Sequence, residues 1–61
     1  MYYILHKPRD TEEPWTELPE GIRNYPKARD TVKALLTQEN PALNVRLCVG
    51  KGRNRRDILV L

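Results

Sequence analysis

Apolar and polar positions follow two different periods along this chain of 61 residues. Residues 2–6 form an aromatic and β-branched run, residues 42–50 alternate between apolar and polar side chains, and residues 57–61 form a mostly apolar run. Alternation and β-branched or aromatic runs are typical of strands. Residues 15–18 are a candidate for one further short strand. The pattern therefore predicts three or four strands, two of them adjacent at the carboxyl-terminal end of the sequence.

Between these strands, apolar side chains recur at helical spacing. Pro26 fits the first turn of a helix, because its missing N–H has no intrahelical partner there. Pro41 disfavours helical backbone at Asn40, so the helix is expected to end near Gln38 or Glu39. The i, i+4, i+7, i+8 spacing predicts that one helix face is buried. That face consists of Ala28, Val32, Leu35 and Leu36.

A reversal at residues 51–54 joins the last two strands and sets their register. A type II′ turn with Gly52 at its first central position and a four-residue loop both pair Val49 with Arg56 and place Cys48 across from Asp57. The side expected to face the helix carries Val45, Leu47, Val49, Ile58 and Val60. The opposite side is expected to carry Asn44, Arg46, Cys48, Asp57, Leu59 and Leu61.

Together these elements predict a single α+β domain over residues 1–61. The expected architecture is a two-layer sandwich, with three or four antiparallel strands and one helix packed on one face, in the order β(β)αββ. A chain this short buries only about 60% of its unfolded surface, so a partner or a homodimer would help to stabilise it. No apolar stretch is long enough to span a membrane, so we expect a soluble, cytoplasmic protein.

Charge is distributed unevenly along the sequence. Residues 1–22 carry two cations and five carboxylates, a balance of −3, whereas residues 46–56 carry five cations and no carboxylate. A basic end of this kind attracts polyanions or acidic protein surfaces. The five candidate binding residues are Arg46, Lys51, Arg53, Arg55 and Arg56.

Two functional interpretations follow from this charge pattern. In the first, the chain is a non-enzymatic binding or regulatory module, and its basic hairpin engages nucleic acid or a nucleoprotein complex. The hairpin lacks the aromatic residues that an RRM uses to stack on bases, so an RRM is excluded. The competing structural explanation is that the cations only keep a hairpin soluble and protect a sheet edge from aggregation.

In the second interpretation, the chain docks on a partner protein, as a small inhibitor of the kind phages often encode or as an accessory subunit. Trp15, Leu59 and Leu61 are the candidate interface residues, since apolar side chains without cover and tryptophan favour protein contacts. Strand addition to a sheet edge is one way in which such a protein could bind.

The sequence argues against an enzyme and against a bound metal or cofactor. Cys48 is the only cysteine and His6 the only histidine, which is too few for a Cys/His zinc site. A Cys48 nucleophile would need a base such as Asp57 or His6 and an oxyanion pocket, and no serine is present as a substitute. Residues 50–52 lack the spacing of a phosphate-binding loop. The carboxylates of residues 10–20 lack the spacing of a calcium loop and are interpreted as solvated.

Overall fold

A computed structural model describes residues 1–38 and 42–61 of the chain. The elements follow in the order β1 (Tyr2–Pro8), β2 (Thr16–Glu17), α1 (Tyr25–Leu36), β3 (Leu43–Val49) and β4 (Arg56–Val60). The strands form one antiparallel sheet in the order β2-β1-β3-β4, and α1 packs against β3 and β1. The predicted two-layer α+β architecture with the order β(β)αββ is confirmed, with four strands.

Helix α1 begins at Tyr25, directly after a capping asparagine. The side chain of Asn24 accepts a hydrogen bond from the backbone N–H of Lys27 at 3.2 Å, which satisfies one of the first orphan donors. Pro26 lies in the first turn, as expected. Ala28 and Val32 are buried, so the predicted apolar face is the one that meets the sheet.

The carboxyl-terminal end of α1 lies earlier than the sequence suggested. The last helical residue is Leu36, and the N–H of Thr37 closes the helix by donating to the carbonyl of Lys33 at 3.0 Å. Gln38 is already outside the helix. The expected end at Glu39 and the effect of Pro41 on Asn40 fall on residues 39–41, which lie outside the described part of the chain.

The core lies between α1 and the two central strands. Register pairs Ile4 of β1 with Leu47 of β3, and both side chains are almost fully buried under the helix. The described residues that form this core are Ile4, Ala28, Val32, Leu43, Val45 and Leu47. A core of this size leaves little reserve of stability in a small domain.

The predicted register between β3 and β4 is correct at one end of the hairpin and wrong at the other. Val49 pairs with Arg56, and Cys48 pairs with Asp57, as expected. The register then shifts at a β-bulge between Leu47 and Cys48. A bulge places two residues of one strand opposite one residue of its partner, so every later side chain changes sides.

The bulge reverses the expected faces of β4. Leu59, rather than Ile58, pairs with Leu47 and packs against the core under the helix. Val60 pairs with Arg46 and is 59% exposed, and Ile58 is 38% exposed. The prediction that Ile58 and Val60 face the helix is therefore wrong, as is the placement of Leu59 and Leu61 on the opposite side.

The reversal itself is longer than either predicted turn. Gly52–Asn54 form a 3₁₀ turn, and the N–H of Arg55 donates to the carbonyl of Gly52 at 3.2 Å. Gly50 and Gly52 both have positive φ, at 86° and 58°. The chain therefore leaves β3 through a left-handed residue, which glycine accommodates without a steric penalty.

Candidate functional site

The cations of residues 51–56, the basic loop, lie at one end of the sheet. Tyr2 pairs with Val49 at this end, and the N–H of Gly50 donates to the carbonyl of Met1 at 3.2 Å. The acidic loop, residues 9–15, follows the other end of β1, where Pro8 pairs with Leu43. Since seven strand residues separate the two ends, the loops lie about 20 Å apart. The carboxylates of the acidic loop thus lie at the end of the sheet opposite the basic loop, whereas Glu17 lies beside Arg55.

The side chain of Arg55 in the basic loop contacts other residues of the same chain. Its guanidinium forms an ion pair with Glu17 of β2, with 2.7 Å between Nη1 and Oε1. The guanidinium carbon also lies 5.2 Å from the centre of the Tyr3 ring, within cation–π distance. Arg55 therefore holds the loop against the sheet face that is turned away from the helix.

Arg46 is likewise occupied by neighbours on that face. Its Nε lies 3.5 Å from Oδ2 of Asp57, which is an ion-pair contact without hydrogen-bond geometry. Its guanidinium carbon lies 4.8 Å from the centre of the Trp15 ring. Arg46 therefore belongs to a packed cluster on the sheet, and the structure does not bring it to the loop surface.

The other three predicted binding residues remain on the surface. Lys51, Arg53 and Arg56 are exposed, and none forms an ion pair within residues 1–38 and 42–61. The ammonium of Lys51 lies 5.5 Å from the Tyr3 ring centre, which orients the side chain without neutralising its charge. The predicted five-residue basic site is thus reduced to three available cations.

The predicted protein interface of Trp15, Leu59 and Leu61 is not assembled as one surface. Trp15 is half-buried, and the Nζ atom of Lys7 and the guanidinium of Arg46 lie 5.7 Å and 4.8 Å from its ring centre. Leu59 and Leu61 lie on the helix side of the sheet, where they line a crevice beside α1. The two leucines and the tryptophan therefore lie on different faces.

Cys48 has the predicted neighbour in Asp57 but not the predicted histidine. The thiol donates a hydrogen bond to Oδ1 of Asp57 at 3.1 Å. His6 pairs with Val45 on the helix side of the sheet, whereas Cys48 pairs with Tyr3 and faces the other side. Burial, together with the hydrogen bond and negative charge of Asp57, raises the pKa of the thiol to about 11. A thiol held neutral in this way is a poor nucleophile.

One surface feature was missed in the sequence, the open edge of β4. Ile58, Val60 and Leu61 are exposed there at 38%, 59% and 49%. β4 is the last strand of the sheet, with β3 on one side only. The only available signal was the unbroken apolar run at residues 58–61, and that run does not reveal which members the bulge turns outward.

Within residues 1–38 and 42–61, no three His, Cys, Asp or Glu side chains are grouped so that they could hold a metal ion. In the part of the chain that the structure describes, no helix has the length and apolar composition needed to cross a membrane. No protein-family model, curated protein or solved structure matches this chain significantly. What the molecule does must therefore be inferred from its own surfaces.

Proposed function

We propose that this chain is a non-enzymatic binding module that engages nucleic acid through the basic loop. The observation that carries this proposal is the exposure of Lys51, Arg53 and Arg56 on one loop, with no carboxylate in ion-pair contact in the described residues. Cations of this kind gain most from phosphate groups, whose binding releases condensed counterions. Because the contacts are to phosphate, we expect little sequence preference.

The surroundings of the loop support a polyanion rather than a single phosphate. Ile22 pairs with Tyr2, and Tyr2 pairs with Val49, the last residue of β3 before the basic loop. Adjacent strands lie about 5 Å apart, so Arg23 follows Ile22 within roughly 15 Å of the basic loop. The same end of the molecule thus offers a fourth exposed cation, although Glu20 is also nearby in the sequence. Spaced cations suit a ligand that carries repeated charges.

The proposal is tested by titrating fluorescein-labelled duplex DNA and single-stranded RNA with the full chain at several potassium chloride concentrations. Three phosphate contacts predict that log affinity falls linearly with log salt, with a slope of about −3 on duplex DNA. The double variant Arg53→Glu/Arg56→Glu should lose at least about tenfold in affinity at low salt and flatten the slope.

The matched control is Arg9→Glu/Lys33→Glu, which changes the net charge equally at exposed positions outside the loop. It should keep most of the affinity and the slope. Equal losses in both double variants would show that only net charge matters. No binding of either nucleic acid at low salt would overturn the proposal and leave an acidic protein surface as the partner of the loop.

A second candidate function, docking on a partner protein, is favoured by a separate observation. The exposed apolar side chains at the open edge of β4 are Ile58, Val60 and Leu61, of which only Leu61 was among the predicted interface residues. An edge strand with exposed apolar side chains invites pairing with another strand. An inhibitor or accessory subunit would bind in this way.

A further inference from the structure

Within residues 1–38 and 42–61, the edge of β4 offers unpaired backbone groups at a defined residue. Leu61 and Val45 exchange both of their backbone hydrogen bonds at 2.8 Å, so they form a hydrogen-bonded pair of the antiparallel ladder. The next pair, Val60 with Arg46, is therefore a non-hydrogen-bonded pair. In such a pair, the N–H and C=O of each residue point away from the partner strand. Both backbone groups of Val60 thus point to the open edge.

The helix leaves this edge incompletely covered. Helix α1 packs against β3 and β1, so its side nearest β4 forms one wall of a crevice of about 140 Å³. The floor of the crevice is apolar, with Val32, Leu36 and Leu59 among its lining residues. A cavity of this volume accommodates one aliphatic or small aromatic side chain.

The rim of the same crevice is positively charged. Arg29 and Lys33, one helical turn apart, line it and are exposed. Neither has an ion-pair partner in the part of the chain that the structure describes. The Arg29 guanidinium carbon lies 5.8 Å from the Tyr25 ring centre, a contact that leaves its charge available. The crevice therefore complements a ligand that combines an apolar side chain with carboxylates.

We propose that β4 binds an extended segment of a partner protein that carries aliphatic and acidic side chains. The segment adds a fifth strand beside β4 and pairs with the backbone of Val60. Residues of the segment opposite Leu59 and Leu61 face the helix side, because side chains alternate along a strand. An aliphatic side chain there fills the crevice, and a carboxylate reaches Lys33 or Arg29. This surface is separate from the basic loop, and the inference does not depend on nucleic-acid binding.

The test uses the full chain and an amidated eight-residue peptide with an amino-terminal fluorescein, in which glutamate, threonine, valine and threonine repeat, so that glutamate and valine share one face of the strand. Fluorescence anisotropy gives the affinity, and amide chemical shifts in ¹⁵N-labelled protein locate the site. We expect the largest shifts at residues 58–61 and around Lys33. A peptide with lysine in place of each glutamate should bind at least about tenfold more weakly, because it meets the cationic rim with like charge.

Two pairs of variants distinguish the contribution of backbone pairing to peptide affinity from the contribution of charge. Val60→Pro removes an outward N–H and should weaken binding by about tenfold, whereas Val60→Thr keeps the N–H and should bind nearly as the parent does. Lys33→Glu should weaken binding by about fivefold, whereas Lys27→Glu, an equal charge change outside the crevice, should not. Circular dichroism checks that each variant is folded. If Val60→Pro does not fold, Val60→Lys provides a second block of the edge.

Several results would overturn the inference. Equal affinities for Val60→Pro and Val60→Thr would exclude strand addition, and equal affinities for the glutamate and lysine peptides would exclude an acidic ligand. Sedimentation of the chain as a dimer that Val60→Pro dissociates would assign the edge to a second copy. Failure here is distinguishable from failure of the nucleic-acid proposal, because Val60→Pro leaves the basic loop unchanged and should not alter DNA affinity.

Discussion

Arg55 and Glu17 form an ion pair of 2.7 Å across the face of the sheet that is turned away from the helix. Glu17 belongs to β2 at one edge of the sheet, and Arg55 directly precedes β4 at the other edge. The pair therefore links the two outermost strands over the ring of Tyr3. The pair also neutralises the charge of Arg55. Glu17 therefore lowers the positive charge that the basic loop offers to a ligand.

Replacing Glu17 by glutamine should release Arg55 and strengthen nucleic-acid binding. Because both partners are partly exposed, the loss of the ion pair should cost no more than about 1 kcal/mol in the free energy of unfolding. One additional cation should raise the affinity for duplex DNA at low salt and steepen the salt slope by about one. Urea unfolding and the anisotropy titration measure the two effects.

Glu20→Gln is the control for this variant, since it removes the same charge from an exposed residue without an ion pair among the described residues. Its DNA affinity should change less than that of Glu17→Gln. If both variants raised the affinity equally, only the overall charge would matter, and Arg55 would have no specific part in binding.

The two glycines of the reversal should tolerate alanine unequally. Both have positive φ, so alanine costs roughly 1–2 kcal/mol at either position for the backbone conformation alone. At Gly50 a new Cβ would also lie 2.7 Å from the carbonyl oxygen of Asn54, a backbone atom that cannot move without distorting the 3₁₀ turn. At Gly52 a Cβ would meet no atom within 4 Å in the described residues.

Urea unfolding of Gly50→Ala and Gly52→Ala therefore should give a clearly larger loss of stability for Gly50→Ala. The comparison cancels the common effect of positive φ and isolates the contact with Asn54. Equal losses at the two positions would mean that the backbone of Asn54 does not lie close to Gly50.

The Cys48 thiol should react slowly with a disulfide reagent at pH 8. It is 1% exposed, and burial and Asp57 hold its pKa at about 11, so almost no thiolate is present. Asp57→Asn removes the carboxylate that raises the pKa and should speed the reaction, whereas Asp30→Asn, a distant exposed carboxylate, should not. Fast reaction of the parent chain in its folded state would contradict this arrangement.

The same pKa makes a prediction about stability at alkaline pH. The folded-state pKa, at about 11, lies above the ordinary thiol value of 9.0, so folding favours the neutral thiol. This contribution is complete below pH 9 and is lost as the pH rises through 11. The difference in unfolding free energy between the parent chain and Cys48→Ala should therefore shrink from pH 9 upward. A difference that is constant from pH 7 to pH 11 would refute the raised pKa.

Local patterns were sufficient for most of the fold. The helical repeat of Ala28 and Val32 predicts the buried face of α1, because 3.6-residue periodicity depends only on nearby residues. The alternation of residues 43–49 predicts β3 in the same way. The reversal at residues 51–54 predicts two correct pairs of the hairpin, Val49 with Arg56 and Cys48 with Asp57.

The contacts of the candidate site could not be predicted from the sequence, since they join residues that are distant along the chain. Nothing near Arg55 in the sequence reveals that Glu17 neutralises it, and nothing near Arg46 reveals that Trp15 packs on it. The strand order is also a tertiary property. Because β1 lies beside β3 in a register that pairs His6 with Val45, His6 and Cys48 occupy opposite faces and cannot act together.

The sequence by itself determined the types and order of the elements and the concentration of cations at one end. Only the tertiary structure decided which apolar residues of β4 are buried. Residues 58–61 are all apolar, so either register turns two of them toward the helix and alternation cannot choose between the registers. Packing against the helix selects the bulged register, in which Leu59 is covered and Val60 is left at the open edge.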